Sequence, residues 1–359
     1  MDALVADAHL PNAVAGIRGL GRAGVRVHAL GPGRGAAGCW SRYAAGRGFG
    51  PLADAVARHA PVVVYPGQEA TVDDLLRLPG GAGATLPWDP ASLVPLRAKD
   101  DLPRLAAAHG LSAPRTLFEG TAAELPGAGV ALPAVVKPAG PVGALATARA
   151  VRSRAELDDL AAGLPAATPL IAQERVDGTL VSLALVIHRG GGVVARFQEE
   201  ARGTWPREAG SFAATVSVAP DEDLVDRARS LLAGAGYWGL AQLDLVRRRD
   251  ATLLLDVNPR FYACMPLALA CGLNLPALWH SVVEGDAPAA PRDYPLGRRY
   301  RWLEGDTYAA RHGEPRALVP RGGRADAGTM WAADDPVASV LLAAAALTKP
   351  LRRRLGAAA

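Results

Sequence analysis

The sequence predicts a mixed α/β and α+β protein, in which a doubly wound parallel sheet is followed by smaller units rich in strands. Strand-like and helix-like segments alternate through residues 1–92 of the 359-residue chain. The alternation stops at breaks rich in Pro and Gly, in residues 79–83 and 87–90. Short apolar strands dominate after these breaks, so a domain boundary is expected near residue 90.

The N-terminal unit, residues 1–92, is predicted to wind strands and helices in alternation. We expect strands at 3–6, 25–30 and 61–65, and helices at 12–23, 52–59 and 68–78. Ligands of such sheets gather at the carboxyl ends of the strands. His9 and Asn12 after the first of these strands, and Glu69 after the third, are therefore candidate substrate-binding residues.

Two further units and a C-terminal segment are predicted to follow. The first, 93–172, begins with a helix at 100–109 that Gly110 ends. The second, 173–290, contains a pair of strands, a helix and a hairpin, and residues 291–359 are expected to be irregular until a final helix. The remaining elements are expected as strands at 113–117, 134–137, 169–173, 180–188 and 192–199, and helices at 154–162 and 222–235.

The hairpin near residue 250 carries the densest functional signal. Asp244 and Asp256 each stand in an apolar strand, where an uncompensated carboxylate is costly. If the pairing register is even, Gln242, Leu254 and Asn258 share their face. Carboxylate and amide oxygens suit Mg²⁺ or Mn²⁺ better than Zn²⁺, so Asp244, Asp256 and Asn258 predict a metal site. The alternative is a surface hairpin with two solvated acids.

Cationic side chains and a small-residue loop supply a predicted anion site. Arg260 offers a planar fork that can hold a carboxylate or phosphate at two points. Lys137 ends an apolar strand and is followed by a loop that contains Gly140 and Gly143, which fits a phosphate cradle. Lys99 precedes a helix in a similar way. The alternative for both lysines is an exposed side chain beside a turn.

Two polar segments are candidate ligand contacts. Residues 173–178 run from a strand into a hinge that could present Gln173, Glu174, Val176 and Asp177 to an adenine ring, or could be a solvated linker. Residues 198–212 are predicted as a mobile segment in which Arg202 meets an anionic or amino-acid-like substrate. An irregular surface loop explains that segment equally well.

In their order along the chain, these motifs resemble the ATP-grasp superfamily, in its carboxylate-amine ligase and biotin-carboxylase-like branch. The likeness rests on Lys99, Lys137 with its glycine loop, the 173–178 hinge, Gly-Tyr-Trp-Gly at 236–239 and Asp-Val-Asn-Pro-Arg at 256–260. It covers about residues 1–290. The resemblance implies a pre-ATP-grasp domain in 1–92 and a two-subdomain ATP-grasp fold in 93–172 and 173–290.

The resemblance also implies ATP and Mg²⁺ (or Mn²⁺) as cofactors. Lys99 and Lys137 would hold the phosphates while the loop closes over them, and the hinge residues would meet the adenine edge. Asp244, Asp256 and Asn258 would ligate the metal. Related ligases place a ribose-binding acid where this chain has Thr179 and Leu180, so the ribose contact is unassigned, with Asp177 as a substitute.

The implied activity is an ADP-forming ligase. It would activate a small-molecule carboxylate as an acyl phosphate and join it to an amine, with Arg260 and Lys137 as catalytic residues. Arg260 is the first candidate for contact with the substrate carboxylate. The alternatives are carboxyphosphate formation from bicarbonate and a regulatory nucleotide-binding module without turnover, which Leu180 favours.

Composition narrows the choice of partners. The formal net charge of +4 comes from scattered arginines without interleaved aromatic residues, so small anionic ligands are expected and nucleic acid is not. Three cysteines without close spacing predict neither disulfides nor zinc, which fits the cytoplasm. The apolar run at 337–347 is too short for a membrane span and is expected to be a docked helix. A homodimer is the oligomer that we consider.

Overall fold

A computed structural model describes residues 1–80, 83–140, 145, 148–205, 211–311, 325–328 and 330–354. The strands in this part of the chain form a five-stranded, a four-stranded and a seven-stranded sheet. The five-stranded sheet comes first in the sequence and is parallel throughout, whereas pairing in the four-stranded sheet is antiparallel. The predicted combination of α/β and α+β architecture is confirmed.

The N-terminal sheet has the strand order β3-β2-β1-β4-β5, as expected for a doubly wound unit. Its central strands are apolar and buried on both faces because helices cover the sheet. Strands β3 and β5 were not predicted, since one contains two glycines and no β-branched residue and the other has only two residues. The elements are β1 (Asp2–Val5), α1 (Pro11–Arg22), β2 (Val27–Gly31), β3 (Ala44–Phe49), α2 (Leu52–His59), β4 (Val62–Tyr65), α3 (Glu69–Leu76) and β5 (Ala84–Thr85).

The four-stranded sheet has the order β6-β9-β7-β8 and its own apolar core. Ser153 caps the helix beside it, since its hydroxyl accepts a hydrogen bond from the Glu156 amide. The strand expected at 113–117 begins later and runs to Thr121. The elements are α4 (Pro90–Arg97), α5 (Leu102–Ala108), β6 (Thr116–Thr121), β7 (Ala134–Pro138), β8 (Arg149–Val151), α6 (Arg154–Ala162) and β9 (Pro169–Glu174).

The seven-stranded sheet has the order β14-β13-β10-β11-β12-β15-β16, in which β15 is Arg299–Arg301 and β16 is Ala327–Gly328. The segment 198–212 differs from the predicted mobile loop, because β11 continues to Trp205 and β12 starts at Ser211; residues 206–210 lie outside the described part. The elements are β10 (Thr179–Ile187), β11 (Val193–Trp205), β12 (Ser211–Val218), α7 (Glu222–Gly234), β13 (Gly239–Arg247), β14 (Thr252–Asn258), α8 (Met265–Ala270) and α9 (Leu275–Glu284).

The C-terminal segment is more ordered than the irregular chain that we expected. It contains β15 (Arg299–Arg301), α10 (Leu303–Arg311), β16 (Ala327–Gly328) and α11 (Pro336–Arg354). The two short strands extend the seven-stranded sheet. Helix α11 returns to the N-terminal domain, where Arg18 of α1 meets Asp335 at 2.8 Å in a nearly fully buried ion pair.

At the start of β13 the backbone lies very close to α9 and to Pro87. Gly239 has φ +112°, and a Cβ atom there would lie 2.6 Å from Trp279 Nε1 and 2.7 Å from the Pro87 carbonyl oxygen. Only glycine fits here, because it adopts a positive φ without strain and has no Cβ atom to clash. The indole of Trp279 donates to the same carbonyl at 2.7 Å, so α9 is held against the strand that carries Asp244. No helix within the described ranges is long and apolar enough to cross a membrane.

Candidate functional site

A cavity of about 720 Å³ lies where the three sheets meet. Side chains from the N-terminal domain, the four-stranded sheet and the acidic hairpin all line it. Its lining includes eleven of the residues selected from the sequence, namely Glu69, Lys99, Lys137, Gln173, Glu174, Val176, Asp177, Asp244, Asp256, Asn258 and Arg260. Residues that are far apart in the chain thus share one site.

The acidic hairpin has, at its functional end, the even register on which the prediction of a shared face depended. Asp244 lies directly opposite Asp256, and Gln242 lies opposite Asn258. The register then shifts by one residue, so that Leu254 pairs with Leu245 and belongs to the buried core. The expectation that Leu254 shares the face of the acids is therefore wrong, because a bulge at the intervening residue reverses the alternation.

Asp244 is enclosed by amide groups. Gln242 Nε2 donates to one carboxylate oxygen at 2.8 Å, and Asn258 Nδ2 donates to the other at 3.0 Å. Burial raises the pKa of Asp244, and the charge of Asp256 raises it further, while these two hydrogen bonds lower it. The site therefore holds two neighbouring carboxyl groups at an electrostatic cost that a bound cation would relieve.

Two lysines approach the same acids from the other side of the cavity. Lys99 Nζ lies 3.2 Å from Asp256 Oδ2, and Lys137 Nζ donates at 3.1 Å to the carbonyl oxygen of Leu255, the residue at the bulge. The pKa of Lys137 is lowered to about 8, mainly by burial and also by the charge of Lys99, while the charge of Asp256 opposes the shift. Both lysines thus have their head groups at the hairpin rather than in solvent.

Arg260 is held by a network that reaches into the N-terminal domain. Its Nε donates to Glu69 Oε1 at 2.7 Å, and another guanidinium nitrogen donates to Asn258 Oδ1 at 2.7 Å. The second oxygen of Glu69 accepts from Arg97 Nε at 3.1 Å, and Arg97 also bonds Asp73 at 2.7 Å. Glu69 therefore lies between two guanidinium groups and fixes the orientation of Arg260.

Asp7 holds the helix start that carries Glu69. It is a buried non-glycine residue with φ +59°, in the left-handed region. Its carboxylate accepts hydrogen bonds from the Gly67 amide, the Gln68 side chain and the Thr71 hydroxyl, at 2.8–2.9 Å. A strained conformation persists only where its surroundings determine it, and here the surroundings place the start of α3 at the cavity.

The hinge residues, which run from the end of β9 into the chain after it, line the cavity. Gln173 is buried, whereas the Asp177 side chain is 87% exposed and pairs with Arg175 at 3.1 Å. Glu174 accepts a hydrogen bond from the Arg115 amide at 3.1 Å. Thr179 and Leu180, which stand at the expected ribose position, also line the cavity.

Several selected residues do not belong to this lining. Arg202 is 61% exposed and faces Glu200 at 3.7 Å, so its contact with a substrate stays a prediction. His9 is exposed, and the Asn12 amide donates to the carbonyl oxygens of Gly67 and Phe261, at 2.6 and 2.8 Å. Substrate binding by His9 and Asn12 stays a prediction. Gly140 is described but does not line the cavity, and Gly143 lies outside the described residues.

The chemistry of the donors fits a hard divalent cation through the two aspartates. Within the described ranges, no group of three His, Cys, Asp or Glu side chains is arranged to hold a metal. The oxygen of Asn258 accepts from Arg260, so its role as a third ligand stays a prediction. Mg²⁺ commonly binds one or two carboxylates and completes its shell with water and phosphate oxygens, which is the set that Asp244 and Asp256 can serve.

Sequence reasoning missed several groups at this site. Arg97, Tyr262 and Cys264 line the cavity, and Glu199 is fully buried beside Cys264. The position of Arg97 just before Lys99, and of Tyr262 and Cys264 just after Arg260, was an available signal. Glu199 gave none, because its neighbours on adjacent strands are distant in sequence.

Comparison of the structure with known proteins finds similar folds. The biotin carboxylase domain of 2-oxoglutarate carboxylase from Hydrogenobacter thermophilus, solved with MgADP, ADP and bicarbonate, has a TM-score of 0.65 at 12% identity, covering 83% of this chain and 73% of that one. N5-carboxyaminoimidazole ribonucleotide synthetase from Thermus thermophilus has a TM-score of 0.64 at 18% identity, covering 83% and 81%.

An L-amino acid ligase from Bacillus licheniformis is also similar, with a TM-score of 0.56 at 17% identity, covering 79% of this chain and 74% of that one. No family model and no curated protein sequence matches the chain. Likenesses at this level of identity show a shared fold.

Proposed function

We propose, on the premise that this chain has the ATP-grasp fold, that it is an ATP- and Mg²⁺-dependent ligase. It would activate a small-molecule carboxylate as an acyl phosphate and join it to an amine, releasing ADP and phosphate. The observation that carries the proposal is the opposed pair Asp244 and Asp256 with Lys99 and Lys137 beside it, in one cavity large enough for a nucleotide.

The nucleotide would lie between the hinge and the lysines. Lys99 and Lys137 are the cations that would neutralise its phosphates, since both end at the hairpin. Gln173, Glu174 and Val176 would contact the adenine edge from the end of β9. Asp177 would serve the ribose, because its exposed carboxylate is bound only to Arg175 among the described residues.

Asp244 and Asp256 would hold Mg²⁺, with Asn258 as the further candidate ligand. The bound ion would neutralise charge on the phosphates during transfer. The chain's own residues fix the two carboxylates: the amides of Gln242 and Asn258 orient Asp244, and the Val257 amide donates to Asp256 Oδ1 at 3.1 Å.

Arg260 would orient the substrate carboxylate or the transferring phosphoryl group. Its fork is already set by Glu69 and Asn258, so it loses little conformational freedom when the substrate binds. The carboxylate oxygen attacks the γ-phosphorus of ATP and ADP leaves. The amine then attacks the acyl carbon, inorganic phosphate leaves and the nitrogen loses a proton. No covalent bond to the protein is required.

Measurement of ADP release tests the proposal. The full chain is incubated with ATP, Mg²⁺ and a panel of carboxylic acids with mixed amines, and products are identified by mass spectrometry. We expect ADP release that needs both an acid and an amine. Release that needs only bicarbonate would favour carboxyphosphate formation, and no release with any acid would favour a nucleotide-binding module.

The hairpin provides a matched pair of variants. Asp256→Asn should lower ADP release at least about 100-fold, since one carboxylate of the metal pair is lost. Asp250→Asn, in the exposed turn of the same hairpin, should stay within about twofold of the wild type. Unchanged turnover in Asp256→Asn would contradict the assignment of the hairpin.

We place this reaction in the cytoplasm, with small-molecule carboxylate and amine substrates. Cys39, Cys264 and Cys271 are all buried free thiols, which suits a reducing compartment. A homodimer also stays part of the proposal; the Hydrogenobacter thermophilus protein is described as a dimer. Sedimentation of the purified chain would test the oligomeric state.

A further inference from the structure

The ion pair between Lys99 and Asp256 joins two side chains that the proposed function gives to different ligands. Lys99 Nζ lies 3.2 Å from Asp256 Oδ2, and the two side chains are only 16% and 30% exposed. Both line the same cavity. Lys99 is the proposed cation for the nucleotide phosphates, whereas Asp256 is a proposed ligand of Mg²⁺. Each of these groups is therefore already paired with an opposite charge of the protein itself.

The other oxygens of the two aspartates accept hydrogen bonds from neutral amides. Asp256 Oδ1 accepts from the Val257 amide at 3.1 Å, and Asp244 accepts from the side chains of Gln242 and Asn258 at 2.8 and 3.0 Å. A neutral donor can stay in place while a cation binds the second lone pair of the same oxygen, but an ammonium group repels that cation. Within the described part of the chain, Lys99 forms the only ion pair of these two acids, so it is the group that competes with a metal ion.

Lys99 is held by fewer bonds than Arg260, and its partner differs in kind from that of Lys137. The guanidinium group of Arg260 donates to three acceptors, and Lys137 donates to the neutral carbonyl oxygen of Leu255. Among the described residues, Asp256 is the one acid that the Lys99 ammonium group contacts. Lys99 also lies in the turn between α4 and α5 and not within a helix. Its long side chain can therefore move to another anion without disturbing a helix.

We propose that Lys99 exchanges partners when the nucleotide binds: its ammonium group leaves Asp256 for the phosphates, and Asp256 is then available to the metal ion. This inference rests on the ATP- and Mg²⁺-dependent function proposed above. Before the exchange, a divalent cation has to bind against the charge of the ammonium group or displace it. Because the nucleotide removes this cost, the nucleotide and the metal ion bind with positive coupling, each increasing the affinity for the other.

Lys99→Met tests the exchange, since methionine keeps an unbranched side chain but cannot pair with Asp256. The affinity of the full chain for Mn²⁺ is measured by electron paramagnetic resonance, with and without saturating ADP. Chelation of Mn²⁺ by free ADP is measured without protein and subtracted. Without ADP, Lys99→Met should bind Mn²⁺ about tenfold more tightly than the wild type, because no ion pair has to be broken. With ADP the two chains should agree within about threefold, because the wild-type lysine has already left Asp256.

Three further variants of the full chain control the measurement. Arg104→Met removes a cation of α5 that is 80% exposed and pairs with Asp101, and it should change the Mn²⁺ affinity by less than about twofold. Asp256→Asn, introduced into Lys99→Met, should remove the added affinity and so locate the ion at the hairpin. Lys99→Gln is a second neutral replacement if Lys99→Met does not fold.

Two results would overturn the exchange and leave the ligase function standing. One is Mn²⁺ binding to Lys99→Met, without ADP, that is no tighter than to the wild type. The other is an equal increase with and without ADP, which would show that Lys99 stays at Asp256. Added affinity that survives Asp256→Asn would instead overturn the metal assignment of the hairpin, and the exchange with it. Turnover does not enter these measurements, so a failure of the ADP-release assay would be recognised separately.

Discussion

Glu199 should make the stability of this protein depend on pH in a way that one substitution removes. The side chain is fully buried, and burial outweighs the opposing hydrogen bond from the Thr215 hydroxyl. Together with the charge of Asp244, burial raises the pKa of the Glu199 carboxyl group to about 8. The unfolded chain has the ordinary value of a glutamate, about 4.3.

The direction of this pH dependence follows from the protons that the folded and unfolded chains bind. Between about pH 4.3 and pH 8 the unfolded chain releases this proton while the folded chain keeps it, so the free energy of unfolding falls as pH rises. One pKa unit corresponds to about 1.4 kcal/mol, so the loss from pH 5 to pH 9 is about 4 kcal/mol. Below pH 4.3 the contribution is fully present, and above pH 8 the loss is complete.

Glu199→Gln keeps the shape of the side chain and cannot ionise. We expect its free energy of unfolding to be within about 1 kcal/mol of the wild-type value at pH 5, and about 4 kcal/mol above it at pH 9. Urea unfolding followed by circular dichroism at intervals of one pH unit would measure both. Glu119→Gln, an exposed glutamate in β6, is the control and should parallel the wild type.

The prediction is tested by the difference in free energy of unfolding between the wild type and Glu199→Gln. Other titrating groups contribute equally to both chains and cancel. If the difference is the same at pH 5 and pH 9, then Glu199 ionises at an ordinary pH and is not buried in the way that the structure indicates.

Two further predictions concern packing between elements. Gly239→Ala should lower the free energy of unfolding by at least about 2 kcal/mol, because Gly239 has a positive φ and a Cβ atom there would meet its neighbours too closely. Gly33 has open space around it, so Gly33→Ala is the control and should change the free energy of unfolding by less than about 0.5 kcal/mol in the same urea titration. Arg18→Met should lower the free energy of unfolding by about 3–5 kcal/mol, since it leaves Asp335 as a buried charge without its arginine. Limited proteolysis of this variant should then release α11 first. A decrease below about 1 kcal/mol would show that this ion pair does not anchor the helix.

Local patterns in the sequence were sufficient for most of the elements and for the hairpin. Asp244 and Asp256 could be recognised because each interrupts an apolar strand, and period-two alternation puts them on one face when the register is even, as it is here. The shift that moves Leu254 to the core could not be predicted, because a bulge depends on how the two strands twist together and not on the residue types of either.

Contacts between residues that are distant in the sequence could not be predicted either. Arg97 looks like an ordinary residue in the last turn of a helix, and its role appears only when Glu69 is brought beside it. Glu199 sits in a polar sequence that was expected to lead into a loop, yet the strand continues and buries it. In both cases the deciding neighbour is distant in sequence, so composition and periodicity carry no information about it.

The link between Glu69 and Arg260 gives the N-terminal domain a direct part in the site. Asp7 fixes the start of α3, α3 carries Glu69, and Glu69 bonds both Arg97 and Arg260. Arg260 also bonds Asn258, whose amide orients Asp244. Hydrogen bonds, together with the backbone at the start of α3, therefore connect the carboxyl end of β1 to Asp244 of the hairpin. A shift of the N-terminal domain relative to the hairpin would have to break a charged hydrogen bond, so the proposed acid-binding and metal-binding groups should move as one unit.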